Sequence, residues 1–340
     1  MPETRCGSPE LSAGVPLPTV DASALAQKVL AGDRRAVARA ISLVEDGSKE
    51  LARLSDALYP QTGRAYTVGL TGSPGVGKSS LAEQLVRAAR LRDRSVAVLA
   101  IDPTSPFSGG ALLGDRLRMQ AHATDPEVFI RSMATRGHLG GMALAAPEAL
   151  RVLDASGKDL IIVETVGVGQ AEVEVATATD TTLVIVAPGW GDYVQVAKAG
   201  ILEIAHVFVV NKSDREGAEE AVRDLRNMLR MGPNTEWVPP IVKTSAVSGE
   251  GVDELWDAIE MHRKHQEESG RLEERRSQRI VEEIKSMVAF RLRERTAGLL
   301  EGDGHDPLVR DLTERRIDPY RAAEILLDRV GGSTPVSSTQ

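Results

Sequence analysis

Apolar positions follow two rhythms along this chain, and the change between them divides it. From Asp21 onward, Leu25, Val29, Leu30, Val37, Ile41, Val44, Leu51 and Leu58 recur at helical spacing. Gly32-Asp33 and Gly47-Ser48 interrupt the series, which predicts two or three short helices over residues 21–62, with Pro60 to Gly63 as the joint to the next region. From about 63 to 262, short apolar runs alternate with helical stretches. The runs are Tyr66–Leu70, Ser95–Ile101, Val128–Ser132, Leu160–Glu164, Thr182–Ala187, Val207–Asn211 and Ile241–Thr244. They are rich in Val and Ile and several are continuously apolar, as strands covered on both faces are. The alternation predicts an α/β fold with a doubly wound, mostly parallel sheet that binds ligands at the carboxyl ends of its strands.

Over 263–330 the pattern is helical and densely charged. Ile280, Ile284, Met287, Val288, Phe290 and Leu292 form one apolar stripe; Leu308, Leu312, Ile317, Ala322, Ile325 and Leu326 form another. Two readings suit them: helices packed on the sheet domain, or an arm for self-association led off by the Arg271–Arg279 segment. Residues 1–20 and 331–340 read as loose tails.

Composition narrows the partners. With 340 residues, 42% hydrophobic and 26% charged, the chain buries a substantial core. Aromatics at 3% argue against a stacking surface for single-stranded nucleic acid. A formal net charge of -8 gives no global attraction to nucleic acid or to an anionic membrane. Cys6 is the only cysteine, so neither an intramolecular disulfide nor a cysteine-built metal site forms. The N-terminus lacks a secretion pattern and no apolar run spans a bilayer, so the expected setting is soluble and cytoplasmic. The six histidines show no metal spacing, and His262 and His265 read as surface residues on a charged helix.

Gly72-Ser73-Pro74-Gly75-Val76-Gly77-Lys78-Ser79, with Ser80 behind it, matches the phosphate-binding loop G-x-x-x-x-G-K-S/T between an apolar run and a helical pattern. Its glycines let the backbone N–H groups turn toward phosphate oxygens. Lys78 adds charge for the β and γ phosphates, and the Ser79 hydroxyl suits magnesium. Asn211-Lys212-Ser213-Asp214, at the end of another apolar run, is the N-K-x-D pattern of guanine binders. A carboxylate at Asp214 accepts from both the ring N–H and the exocyclic amine of guanine, a donor pair adenine lacks. Ser245-Ala246 resembles the element that backs the base. Together these favour GTP over ATP.

Asp102 and Glu164 end predicted strands on the same sheet edge, where an acid holds magnesium directly or through water, or else caps the next turn. Gly167 and Gly169 follow Glu164 in a loop suited to respond to a γ phosphate, with Gln170 behind them. Between Asp102 and Met119 lies a hydroxyl-, Gly- and Pro-rich stretch read as a loop over the nucleotide. Its Asp115 is either a magnesium-associated acid or a solvated one. Arg131 and Arg136 flank another Gly-rich turn, suited to a phosphate, a partner or plain salt bridges. The Pro188–Lys198 segment, with Trp190 between glycines, reads as a partner-sensing loop.

These residues together resemble the MeaB/ArgK GTPases, which serve adenosylcobalamin-dependent methylmalonyl-CoA mutase and include relatives of the methylmalonic aciduria type A protein. The likeness runs from about 22 to 330. It is most specific in G-S-P-G-V-G-K-S, D-P-T-S-P-F-S-G-G-A-L-L-G-D-R-L-R-M, E-T-V-G-V-G-Q and N-K-S-D. The resemblance implies a P-loop NTPase of the SIMIBI class with N-terminal and C-terminal helical extensions, the latter a homodimerisation arm. It places Lys78 and Ser79 on phosphate and magnesium, Asp102, Asp115 and Glu164 around the metal, and Asn211, Lys212 and Asp214 on guanine. It makes Gly189–Lys198 a third switch that communicates with the mutase. The implied work is GTP hydrolysis to GDP that gates cofactor loading into the mutase and protects it. No glutamine directly follows a D-x-x-G glycine, so slow basal hydrolysis is expected. Two other expectations compete: a kinase linked to arginine/ornithine transport, and a metallochaperone GTPase, which His/Cys clusters would mark.

Overall fold

The computed structural model describes residues 21–102, 122, 124–134, 142–165, 177–189, 204–232, 236–300 and 307–331. Three helices open the described chain: α1 (Ala22–Leu30), α2 (Arg34–Glu45) and α3 (Leu51–Leu58). Acids start the first two. The Asp21 carboxylate accepts from the Ser23 and Ala24 amides at 3.0 and 3.1 Å, and that of Asp33 from Ala36 at 2.7 Å. After the joint, Asp154 captures the amides of Gly63, Arg64 and Ala65 at 2.5, 3.2 and 2.9 Å, fixing where the chain enters the sheet.

The sheet domain then runs β1 (Tyr66–Thr71), α4 (Lys78–Arg90), β2 (Val96–Asp102), β3 (Val128–Ala134), α5 (Met142–Ala155), β4 (Leu160–Thr165), β5 (Thr181–Val186), β6 (Val207–Asn211), α6 (Ala218–Met231), β7 (Ile241–Thr244) and α7 (Val252–Glu268). The seven strands stand in the order β3-β2-β4-β1-β5-β6-β7, and every neighbouring pair is parallel. All seven expected runs became strands, two with the same ends and the others differing by no more than two residues. β1 stands with β4 on one side and β5 on the other, at the place where the chain crosses from one half of the sheet to the other. Ligands of open α/β sheets bind at the carboxyl end of such a crossing.

Both faces are covered, which explains the uninterrupted apolar runs. In β4, Ile161 and Val163 pack with α1–α3 and α5, while Leu160 and Ile162 pack with α4 and α7. α6 covers β5 and β6 through Val222, Leu225 and Met228. Helix α7 runs through residue 262 without a break. Gly270 (φ +71°) turns the chain into α8 (Arg271–Leu300), and α9 (Pro307–Thr313) and α10 (Pro319–Gly331) complete the described chain. Among the described residues, no helix is long and apolar enough to cross a membrane.

The first turns of α8 grip the amino edge of the sheet. Asp180, before β5, is buried and accepts from Arg276 Nη2 at 2.6 Å, Arg279 Nη2 at 2.5 Å and the Thr67 amide of β1 at 3.0 Å. Arg276 also donates to the Gly63 and Ala65 carbonyls at 2.8 and 2.9 Å. Burial pushes the Asp180 carboxyl up, but the two guanidinium groups outweigh it and hold its pKa at about 2. His262 is a correction to the surface reading: it is buried, 2.8 Å from the Thr181 hydroxyl and stacked on His206 at 4.3 Å. Sequence placed it on a charged helix, but its position on α7 faces inward. Burial, with Arg275 and His265 nearby, lowers its pKa to about 3. His265 is half-buried and lies 5.1 Å from the Trp237 ring.

Candidate nucleotide site

At the opposite, carboxyl edge, β1 runs directly into the glycine-rich loop. Gly72 (φ +134°) has no space for a side chain, since a Cβ there would stand 2.1 Å from the Ile185 carbonyl oxygen. Gly77 (φ +97°) is the left-handed residue that starts α4, and a Cβ on it would meet Asn211 Nδ2 at 2.4 Å. Helix α4 begins at Lys78, so the amides of its first turn open toward the loop, an arrangement that attracts anions. Lys78 is buried, and its Nζ donates to the carbonyls of Gly72 (2.5 Å) and Ser73 (3.1 Å). Ser73 and Val76 are buried, Pro74 and Gly75 are exposed, and Ser80 is half-buried.

Ser79 Oγ donates to Glu164 Oε1 at 2.6 Å, and Glu164 is only 2% exposed. A hydroxyl and a carboxylate oxygen side by side beside a phosphate loop form the hard-oxygen donor set that magnesium takes. Glu164 pairs with Leu70 of β1 and Ala100 of β2, so it stands between the strands leading to the loop and to Asp102. Asp102 is the last residue of β2; its side chain lies outside the described residues. So do Asp115, Arg136, Gly167, Gly169, Gln170, Trp190 and Lys198. Among the described residues, no three His, Cys, Asp or Glu side chains gather to hold a metal. Of the readings open for Arg131, the structure shows a salt bridge, to Glu45 of α2 at 2.6 Å.

The N-K-S-D segment is joined to the phosphate loop. Asn211, buried at the end of β6, donates from Nδ2 to the Val76 carbonyl at 2.7 Å. Its Oδ1 accepts from Thr244 Oγ1 at 3.2 Å and from the Ala246 amide at 3.1 Å. Lys212, at φ +58°, donates to the Gly75 carbonyl at 2.6 Å. Asp214 is exposed. Ser245 and Ala246 are buried in the turn after β7, which Ser245 closes by donating its amide to the Glu250 carbonyl at 2.9 Å. Sequence reasoning passed over Thr244 and Gln84. The Gln84 Nε2 donates to the Ala246 carbonyl at 2.9 Å across 162 positions, which no local pattern announces.

A model of the family described as methylmalonyl Co-A mutase-associated GTPase MeaB matches residues 37–299. The chain belongs to the MeaB family. It is a GTPase with a P-loop fold. A protein of Pyrococcus abyssi named as a GTPase is 48% identical over 312 residues, covering 91% of this chain and 96% of its own. A mitochondrial methylmalonic aciduria type A homolog of Caenorhabditis elegans is 36% identical, over 75% of this chain and 69% of its own. Among solved structures, a LAO/AO transport system kinase superposes with a TM-score of 0.68 at 26% identity, covering 91% of this chain and 97% of that one. The family match thus takes in the phosphate loop, Glu164, the N-K-S-D segment and most of α8.

Proposed function

We propose that this MeaB-family chain is a magnesium-dependent GTPase that gates adenosylcobalamin loading into methylmalonyl-CoA mutase, or a related acyl-CoA mutase, and protects that enzyme. The observation that carries the nucleotide half is the joining of N-K-S-D to the phosphate loop through Asn211–Val76 and Lys212–Gly75. A ligand recognised by both segments has a base at one end and phosphates at the other. The client half rests on the family's description and on the aciduria-related homolog.

Within this reading, the loop amides of Gly72–Ser79 and the Lys78 ammonium receive the phosphates. Ser79, Glu164, Asp102 and Asp115 would hold magnesium, which would supply positive charge against the phosphates. Asp214 accepts the two N–H donors of guanine, while Asn211 and Ala246 order the pocket wall. The catalytic roles fall to Lys78, Asp102 and Glu164, and basal turnover is slow until the mutase rearranges the loops after Glu164 and Pro188. The helices over 21–62 and 263–330 act as arms on the GTPase domain. On α8, Ile280, Val281, Ile284 and Val288 are 41–59% exposed on one side of the helix, a seam suited to a second copy of the chain.

The test is a pull-down of an adenosylcobalamin-dependent acyl-CoA mutase, run with GDP and with a non-hydrolysable GTP analogue. Nucleotide-dependent capture is expected. Equal capture in both states would remove the gating role. Incubation with γ-labelled GTP should give free phosphate; label on an amino acid or a transport protein would favour the kinase reading instead.

A further inference from the structure

The turn after β7 is held from three sides, and one hold plays no part in the proposed function. Its amides close it on itself, Ser245 to Glu250 at 2.9 Å and Gly249 to the Ser245 carbonyl at 2.8 Å. The Ala246 amide faces Asn211 Oδ1, and the Ala246 carbonyl is taken by Gln84 of α4. A trans peptide points its C=O and the following N–H in opposite directions. With the Ala246 carbonyl drawn toward α4, the Val247 N–H is turned away from that helix, at a residue 93% exposed. Gln84 thus fixes the orientation of a surface peptide beside Asn211.

We infer that Gln84 is a positioning residue for base selection: its amide holds the Ala246–Val247 peptide so that the Val247 N–H meets the 6-oxo group of the purine. The inference rests on the proposed guanine reading. An N–H donor accepts a 6-oxo base and opposes the 6-amino group of adenine, which presents donors of its own. Because α4 also begins at the phosphate-binding Lys78, one helix sets the orientation at both ends of the nucleotide.

The test compares Gln84→Leu and Gln84→Glu with the unaltered chain for GDP, IDP and ADP by competition binding. Guanine and hypoxanthine share the 6-oxo group, and only guanine has the 2-amino group. Q84L should weaken GDP and IDP alike by about fivefold and leave ADP unchanged, with turnover of saturating GTP also unchanged. Q84E, similar in shape but unable to donate to the Ala246 carbonyl, should do at least as much, which guards against a packing defect in Q84L. Unchanged GDP binding in both variants would overturn the assignment, as would equal losses for all three nucleotides or a loss for GDP alone. If the unaltered chain bound ADP as well as GDP, the guanine reading itself would fall. A guanine preference in the unaltered chain that is undiminished in both Q84L and Q84E would remove only the role of Gln84.

Discussion

The two edges of the sheet put polar groups to different uses. At the amino edge, Asp180 is sealed among Arg276, Arg279 and the Thr67 amide, and its charge is matched within the protein. At the carboxyl edge, Lys78 lies against the carbonyls of Gly72 and Ser73, and α4 opens its first turn toward the loop. One edge uses its ions to fasten α8 to β1 and β5. The other opens the first-turn amides of α4 toward the loop, an arrangement that favours an anion. Buried charge matched within the protein fastens one element to another, whereas the open amides of a helix start offer a binding site.

Substitutions separate the two. Lys78→Met should lower kcat/KM for GTP by about 10²- to 10³-fold, measured as phosphate release, while the denaturation midpoint changes little. Asp180→Leu should do the reverse. Leaving Arg276 and Arg279 without their buried partner costs about 3–5 kcal/mol in denaturant unfolding, with nucleotide affinity retained in the protein that remains folded. If Asp180→Leu cost nothing, the amino edge would not be a fastening.

Gly77→Ala sharpens the view of the carboxyl edge. The added methyl would press on Asn211 Nδ2 from a backbone that L residues rarely adopt, so a change in the phosphate loop should be felt at the base. GDP affinity is expected to fall by about tenfold, more than that of inorganic tripolyphosphate; equal losses would disconnect the two segments.

The effect that builds up most gradually concerns pH. His262 titrates near 3 when folded and at its ordinary 6.5 when unfolded, so its contribution is full above about 6.5 and is lost as pH falls toward 3. Asp180 adds a lower window, full above 3.8 and lost toward about 2. His262→Asn should flatten the fall in stability between pH 6.5 and 3 by up to ~1.4 kcal/mol per pH unit, followed by urea titration. An unaltered slope would mean that the buried histidine is not the source.

The strands were legible because covering both faces of a parallel sheet leaves runs of Val and Ile with little else to mean. The phosphate loop and N-K-S-D were legible because each is contiguous. What escaped reading depends on partners far apart in the chain. Asp180 meets arginines nearly 100 positions later, Gln84 meets Ala246, and His262 looked exposed because its helix is charged on the side away from the sheet. For Arg131 a salt bridge was among the open readings, but its partner, Glu45 in the opening helices, was not legible. Periodicity reports which face is buried only when the buried face is apolar, and the amino edge is not.

The bonds from Lys212 to Gly75 and from Asn211 to Val76 are made between the protein's own groups. A receptor whose walls are braced by its own bonds loses little freedom on holding a ligand, so residence time rather than capture rate should set how long each state lasts. Turning such a timer over would then fall to whatever pries those two braces apart.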